Sequence, residues 1–186
     1  MMPMKSVAVF CAASEDIDRI HFSEAEAVGR MLGGRGAALV YGGARFGLME
    51  ATAKAAKAAG AHIIGVVPMI LEERGRVSTL IDEKINCRNL SDRKDIMLQR
   101  SDILVALPGG IGTLDEIFHV MAAATIGYHS KKVVLYNAGG FWDSLLSTLR
   151  TLKEGCFIRG NFDSLLAVAN NIEELEEIIF EDICLK

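Results

Sequence analysis

Residues 103–116 have the sequence I-L-V-A-L-P-G-G-I-G-T-L-D-E, in which a run of five apolar residues precedes a Gly-rich turn and the start of a helical pattern. Strands buried on both faces of a parallel sheet are near-continuous apolar runs of this kind. In such sheets, ligands bind beyond the carboxyl ends of the strands. The segment therefore predicts a buried parallel strand whose following turn lies at a ligand-binding edge.

The same succession of strand and helix continues in both directions along the chain. We predict strands over residues 7–11, 37–41, 62–67, 80–87, 103–107, 133–136 and 164–168. We predict helices over residues 17–32, 48–59, 92–100, 113–126, 141–152 and 172–180. Residues 69–80 have no clear pattern. The alternation predicts an α/β fold in which residues 1–186 form a single domain, a doubly wound (Rossmann-like) parallel sheet with helices on both faces.

The composition limits what kind of protein this chain is. Its 186 residues are 51% hydrophobic and include only 3 Pro, which excludes a disordered chain. The net charge of −4 supplies no general attraction for nucleic acid. No apolar stretch approaches the ~18 residues of a membrane-spanning helix, and we interpret the apolar run near the N-terminus as a strand rather than a signal peptide. We therefore expect no nucleic-acid or membrane partner.

The cysteines and histidines show no pattern of a metal site or a disulfide framework. Four widely spaced cysteines without a C-x-x-C pair are typical of a reducing compartment, so we expect a cytoplasmic location. The four histidines lack the spacing of metal ligands, and we expect no metal. The cysteines are Cys11, Cys87, Cys156 and Cys184.

The Gly-rich turn predicts a binding site for a phosphate. Glycines allow close approach of the backbone to a ligand, and the first N–H groups of a helix favour an anion. The turn lacks the Lys of a P-loop and the spacing of a dinucleotide site, so a monophosphate fits best. A turn that needs glycine for packing alone is the alternative. The predicted phosphate-binding residues are Gly109, Gly110, Ile111, Gly112 and Thr113.

Glu116 follows this turn by one helical turn. Residues three apart share a helix face, so Glu116 is predicted on the same side as Thr113, whereas Asp115 points elsewhere. The alternative for both acids is a favourable interaction with the helix N-terminus. Its closeness to the predicted phosphate site favours Glu116 as a functional carboxylate.

The nonamer P-G-G-I-G-T-L-D-E resembles the P-G-G-x-G-T-x-x-E signature of the LONELY GUY family, the cytokinin-activating phosphoribohydrolases that are often labelled "lysine decarboxylase-like". The resemblance extends over nearly the whole chain. Its supporting segments are V-F-C-A-A-S at 9–14, L-V-Y-G-G at 39–43, G-L-M at 47–49, I-G-V-V-P at 64–68, R-K at 93–94, N-A-G-G-F at 137–141 and E-G-C-F-I at 154–158.

The resemblance implies hydrolysis of the N-glycosidic bond of a nucleoside 5′-monophosphate, AMP or prenylated AMP, to a free base and ribose 5-phosphate. It implies Arg93 and Glu116 as the catalytic pair, no metal or organic cofactor, and a homodimer with its sites near the subunit interface. Arginine is a poor proton donor, so we interpret Arg93 as a fixed hydrogen-bond donor and electrostatic partner.

Further substrate-binding candidates come from the same motifs, each with a structural alternative. For Ser14 the alternative is a helix N-cap, and for the glycines it is simple turn chemistry. For Arg93 and Lys94 it is a solvated helix face that pairs with Asp92 and Asp95. The candidates are Ser14, Gly42, Gly43, Gly47, Leu90 and Lys94.

The chain departs from the family pattern around the expected base and ribose pocket, whereas the phosphate turn and the catalytic pair are intact. The departures are Ala12, Ala13, Ala44, Glu50 and Leu90. Two other functions remain as alternatives. One is a non-catalytic nucleotide-binding or carrier protein on the same scaffold. The other, lysine decarboxylase, is disfavoured because we find no lysine in a convincing setting for pyridoxal phosphate.

Overall fold

The structure is a computed structural model that describes residues 4–158 and 161–181. The described residues form a seven-stranded parallel sheet with the order β4-β3-β2-β1-β5-β6-β7. The strands are β1 Ser6–Phe10, β2 Ala38–Tyr41, β3 Ile63–Pro68, β4 Glu83–Cys87, β5 Ile103–Ala106, β6 Val133–Tyr136 and β7 Leu166–Ala169. The helices are α1 Arg19–Gly34, α2 Gly47–Ala58, α3 Met69–Glu73, α4 Leu90–Gln99, α5 Ile111–Thr125, α6 Asp143–Glu154 and α7 Ile172–Phe180.

The direction in which strands are added reverses beside β1. The chain first moves outward through β2 and β3 to β4, and then returns to place β5 on the other side of β1. The two central strands are in register, with Phe10 opposite Ala106 at their carboxyl ends. Loops that leave neighbouring strands toward opposite faces open a crevice at such a point, and ligands bind in it.

Helices cover both faces of the sheet and bury two apolar cores. Helices α1, α2 and α7 pack on one face, through residues such as Val28, Ala53 and Leu175. Helices α4, α5 and α6 pack on the other, through residues such as Met97 and Ile117. Strands such as β2 are buried along their whole length. The predicted doubly wound α/β fold is therefore confirmed.

The structure corrects the predicted elements mainly at their ends. Helix α1 begins at Arg19 because the Asp18 carboxylate accepts the N–H of Ile20, 3.2 Å away, as an N-cap. Ser14 is therefore not that N-cap, contrary to the alternative considered for it. Helix α5 begins at Ile111, two residues before the predicted start.

The segment before β4 was the least predictable part. It contains the short helix α3, and β4 begins at Glu83, so the predicted strand over residues 80–87 is wrong for its first three residues. Asp82, the residue before β4, is already bonded to β3, since its backbone N–H donates to the carbonyl of Ile63 at 2.9 Å. None of the helices in the described ranges is long and apolar enough to cross a membrane.

Candidate active site

A cleft opens at the carboxyl ends of β1 and β5, where the strand order reverses. Its cavity volume is about 310 Å³. The loop after β1, the N-terminal part of α5 with its preceding turn, and one side chain each of α2 and α4 form its walls. The lining residues are Cys11, Ala12, Ala13, Ser14, Met49, Arg93, Gly110, Gly112, Thr113 and Glu116.

The N-terminus of α5 lies at this cleft without a side-chain cap. Gly110 is the N-cap residue, and no side chain of the described residues bonds the first N–H groups of the helix. The first intrahelical bond of this end is donated by Leu114 to the carbonyl of Gly110, at 3.0 Å. The preceding amides are thus left for a ligand, and the positive end of the helix dipole lies behind them. This arrangement suits an oxyanion such as a phosphate.

Glycine is required at the start of this turn. A Cβ at Gly109 would lie 2.1 Å from the hydroxyl oxygen of Thr113, whose side chain is buried beneath the turn. A side chain at residue 109 would therefore displace Thr113 from the cavity wall. Ile111 belongs to the turn through its backbone, because its side chain points into solvent.

Glu116 places a carboxyl group in the wall of the cleft, one helical turn below the N-terminus of α5. The residue is only 6% exposed. Burial raises its pKa to about 7, an effect that the charge of Arg93 opposes and that of Asp115 reinforces. A carboxyl group that changes its charge near neutral pH is suited to a role in chemistry on a bound ligand.

Arg93 reaches the same cavity from α4. Its Nε donates to the carbonyl of Val66 at 3.3 Å, which fixes the guanidinium against the end of β3. Gly42 makes room for it, since a Cβ there would lie 1.5 Å from the Nη2 atom of Arg93. The structure thus brings Arg93 and Glu116 to one cavity. The missing side chain at Gly42 leaves the space that the guanidinium occupies.

Lys94 and Leu90 have other surroundings. The Lys94 ammonium lies 2.7 Å from both carboxylate oxygens of Asp115, and the residues that line the cavity do not include it. Leu90 is exposed at the start of α4 and is likewise not part of the cavity wall. Among the described residues, the alternative pairing of Arg93 and Lys94 with Asp92 and Asp95 is not observed, because Asp92 pairs with Arg88 and Asp95 lies beside His119.

The remaining glycine candidates, Gly43 and Gly47, do not line the cleft but allow close packing of the segments beside it. Gly47 packs against the loop after β1, where a Cβ would approach the backbone of Ala13 to 2.6 Å, and its φ is +58°. Gly43 has φ +74°, and a Cβ there would approach the side chain of Val67 to 2.6 Å. Both conformations favour glycine. Ser14 itself lines the cavity.

Four lining residues were not among the predicted site residues: Cys11 and Met49, and Ala12 and Ala13, which were named only as departures from the family pattern. Cys11 directly follows β1, so its position beyond a strand end was a usable signal. Its thiol is buried, and this burial, with the charge of Glu116, raises the pKa of the thiol far above its usual range. Burial therefore favours the protonated thiol at this position in the wall of the cleft. Cys184, one of the four cysteines considered above, lies outside the described residues.

A second lobe adjoins the cleft on the other side of Gly110. Its volume is about 430 Å³, and it shares Ala12, Ser14 and Gly110 with the first cavity. The His21 and Phe141 rings meet edge to face in its wall, with centroids 5.5 Å apart. Within the part of the chain that the structure covers, no group of three acidic, His or Cys side chains is arranged to hold a metal ion.

Fold and cleft together define a class: a doubly wound α/β protein with a cleft at the switch point of its sheet, into which the N-terminus of a helix opens. A family model described as "Possible lysine decarboxylase" matches residues 49–179. The cytokinin riboside 5′-monophosphate phosphoribohydrolase of Mycobacterium tuberculosis is 37% identical over 169 residues, which are 91% of this chain and 90% of that protein. The probable phosphoribohydrolase LOGL2 of Oryza sativa subsp. japonica is 36% identical over 177 residues, 95% of this chain and 72% of that protein.

A solved structure is also similar. The molybdenum cofactor carrier protein of Chlamydomonas reinhardtii superposes with a TM-score of 0.73 at 25% identity, over 95% of this chain and 96% of that one. The extent of the sequence matches decides the family. The chain belongs to the LONELY GUY family of cytokinin riboside 5′-monophosphate phosphoribohydrolases, as its motifs predicted.

Proposed function

We propose that this protein hydrolyses the N-glycosidic bond of a purine nucleoside 5′-monophosphate and releases the free base and ribose 5-phosphate. The observation that carries the proposal is the carboxyl group of Glu116, buried in a cleft that it shares with Arg93 and with an uncapped helix N-terminus. The name of the curated relatives, cytokinin riboside 5′-monophosphate phosphoribohydrolase, supports it.

The phosphate group anchors the substrate. The free amides at the N-terminus of α5 and the hydroxyl of Thr113 receive its oxygens, and the helix dipole favours its charge. Because the phosphate is remote from the bond that breaks, its binding energy is converted into orientation of the ribose. The overall charge of the chain does not attract an anion, so this local geometry has to do so.

Cleavage separates charge at the ribose C1′. The C1′–N bond breaks with its electron pair on the base, so the ribosyl ring gains positive charge while the base gains negative charge. The ionised Glu116 carboxylate stabilises the ring, and the Arg93 guanidinium supplies fixed donors for the negative charge. A water oxygen then bonds to C1′, and the proton it releases balances the one that the departing base takes up.

The substrate is AMP or an AMP that carries a prenyl group on its base. The cleft of about 310 Å³ and its adjoining lobe of about 430 Å³ provide space beyond the phosphate turn. The family departures Ala12 and Ala13 lie at this cleft. We therefore expect this chain to differ from other family members in the base that it prefers.

Turnover of a small substrate series tests the proposal. The protein is incubated with AMP, GMP, isopentenyl-AMP and adenosine, and the released base is separated by chromatography. We expect release from a monophosphate and little from adenosine. Glu116→Gln keeps the shape of the side chain and should abolish release while AMP still binds. Adenosine turned over as well as AMP would contradict the anchoring role of the Gly109–Thr113 turn.

The second candidate is a nucleotide-binding or carrier protein without catalysis. The observation that favours it is the similarity to the molybdenum cofactor carrier protein, which covers nearly the whole of both chains. Binding of AMP without release of a base from any nucleotide would establish this candidate. We expect no cadaverine from lysine and pyridoxal phosphate, because that chemistry needs a lysine in the site that can form a Schiff base, and the described residues that line the cleft include no lysine.

We also propose that the protein is a homodimer and that the C-terminal half of α5 is its interface. Ile126 separates two apolar grooves, one with Tyr128 and one with Phe157. These two aromatic side chains are 80% and 79% exposed. They alone present on the order of 250–400 Å² of surface, a substantial share of the ~800 Å² per partner of a stable interface. A ridge between two grooves fits a second copy of itself about a two-fold axis.

A cytoplasmic location completes the proposal. Cys11 and Cys87 are buried free thiols. Such thiols are usual in a reducing compartment.

A further inference from the structure

Helices α4 and α5, which carry Arg93 and Glu116, are joined by two side-chain links. The Lys94 ammonium is 2.7 Å from both oxygens of Asp115. One helical turn further along α5, the Nε2 atom of His119 is 3.0 Å from the Oδ1 atom of Asp95. The first link differs from an ordinary surface pair, since the side chain of Lys94 is only 13% exposed. The ammonium meets both oxygens of Asp115, whose own side chain is 52% exposed, so burial restricts the pair on the Lys94 side.

The Lys94–Asp115 link connects the two residues next to the proposed catalytic pair, since Lys94 follows Arg93 and Asp115 precedes Glu116. We propose that Lys94 is a positioning residue for Glu116: it neutralises Asp115 and fixes α4 against α5, so that Arg93 and not an unpaired Asp115 sets the charge around Glu116. This inference rests on the proposed function and goes beyond it. It also replaces the earlier expectation that Lys94 contacts the substrate.

The charges around Glu116 determine in which direction each substitution should shift its pKa. Arg93 and Lys94 from α4 lower the pKa of Glu116, whereas Asp115 from its own helix raises it. The neutral thiol of Cys11 forms part of the opposite wall. Removal of the ammonium leaves Asp115 unpaired beside Glu116, and two neighbouring carboxylates resist joint ionisation. Removal of Asp115 has the opposite effect. A merely structural link would give no such reversal.

The test measures the ionisation of Glu116 directly in three variants, Lys94→Met, Asp115→Asn and the double variant. The titration is followed by NMR of ¹³C-labelled Glu carboxyl groups, with the resonance of Glu116 identified by its loss in Glu116→Gln. We expect a higher midpoint in Lys94→Met, a lower midpoint in Asp115→Asn and a midpoint close to the wild type in the double variant. Arg88→Met is the matched control, because it removes the Arg88–Asp92 pair at the start of α4 and should leave the midpoint unchanged.

The dependence of kcat/KM on pH should move with the titration. On the acidic side of the profile, each pH unit of upward shift corresponds to an about tenfold loss of rate at a fixed pH. Lys94→Arg, unlike Lys94→Met, should keep the pH profile of the wild type, because it retains a cation beside Asp115. If Lys94→Met does not fold, the lower midpoint of Asp115→Asn still decides the matter.

The two proposals fail in distinguishable ways. If both single variants titrate Glu116 at the wild-type midpoint, Lys94 has no positioning role, whether or not the protein is an enzyme. If the midpoints shift in the expected directions while no nucleotide is hydrolysed by the wild type, the role of Lys94 stands and the proposed activity is wrong. Equal shifts in the same direction from both single variants would also overturn the inference.

Discussion

Glu116 makes the stability of the protein depend on pH in a direction opposite to most carboxylates. Burial raises its pKa to about 7, whereas a Glu in an unfolded chain titrates near ~4.3. Between these values the folded protein binds more protons than the unfolded chain, so its stability falls as the pH rises. Glu116→Gln removes this ionisation. We expect the unfolding free energy of the variant to exceed that of the wild type above pH 7 by up to about 4 kcal/mol.

The measurement is urea denaturation of both proteins at pH 4 and pH 8. At pH 4 the two proteins should have similar unfolding free energies, because Glu116 is then protonated in the folded and, largely, in the unfolded state. Glu154→Gln, at an exposed position, is the matched control and should show no comparable difference. An equal advantage of Glu116→Gln at both pH values would contradict the buried, titrating carboxyl group.

Gly42 controls where Arg93 lies. A Cβ at this residue would lie 1.5 Å from Nη2 and 2.7 Å from Cζ of Arg93, atoms at the far end of a flexible side chain. Gly42→Ala should therefore fold with an unfolding free energy near that of the wild type but displace the guanidinium. We expect kcat/KM to fall by about 10²–10³, the usual effect of losing one preorganised group. Steady-state kinetics and urea denaturation measure the two effects.

The control for this substitution is Gly34→Ala at the exposed end of α1, where a Cβ meets nothing within 4 Å. It should leave activity unchanged and alter the unfolding free energy only by the gain in helix propensity, at most about 1 kcal/mol. Full activity of Gly42→Ala would mean that the observed position of Arg93 is not needed for catalysis.

The sequence predicted single residues of the site where a chemically suitable side chain lies in a recognisable motif. Arg93 and Glu116 belong to recognisable motifs, and both line the cleft. The surroundings of Lys94 were not predictable, because its partner Asp115 is 21 positions away and the approach of α4 to α5 decides the pair. Leu90 precedes the Arg-Lys pair of the same motif, at a position where this chain departs from the family, and the first turn of α4 directs it into solvent.

At the scale of elements, α1 and α2 touch through glycines. A Cβ at Gly29 would lie 2.3 Å from the carbonyl oxygen of Thr52, and one at Gly33 would lie 2.6 Å from that of Ala56. Helices this close have no space for a side chain between their backbones. We expect Gly29→Ala to lower the unfolding free energy by about 1–2 kcal/mol, the cost of overpacking less the helix propensity that Ala gains.

Urea denaturation compares Gly29→Ala with Gly34→Ala, which adds the same methyl group to the same helix in open space. The pair separates helix packing from helix propensity. If both variants have equal unfolding free energies, α1 and α2 can move apart without loss of stability. The close contact between them would then not stabilise the fold.

Elements were predictable where periodicity and burial agree. Strands buried on both faces, such as β5, appear in the sequence as uninterrupted apolar runs. Helix α3 was not predicted because its five residues span little more than one helical turn, which is too short to show a helical period. Edge strand β4 alternates between partly buried and exposed residues, and the start of such a strand is decided by the neighbouring β3 rather than by its own composition.

At the scale of the molecule, α5 connects the site with the surface. Its first turn faces the cleft, its second carries Glu116, and its last residues lead into the exposed groove region around Ile126. In a dimer formed through this surface, one helix belongs both to the interface and to the proposed active site. Association would then hold the helix that positions Glu116.

The position of the interface is tested by a charge at its centre. Ile126→Glu places a carboxylate where the second copy of the chain would bury an apolar side chain, and an unpaired buried charge is strongly unfavourable. We expect sedimentation equilibrium to give a dimer for the wild type and a dissociation constant at least about 100-fold higher for Ile126→Glu, since ~2.7 kcal/mol corresponds to that factor. Ile70→Glu, a matched change at an exposed isoleucine of α3, should leave the dimer intact. A wild type that stays monomeric, or an Ile126→Glu variant that dimerises like the wild type, would contradict an interface at the end of α5.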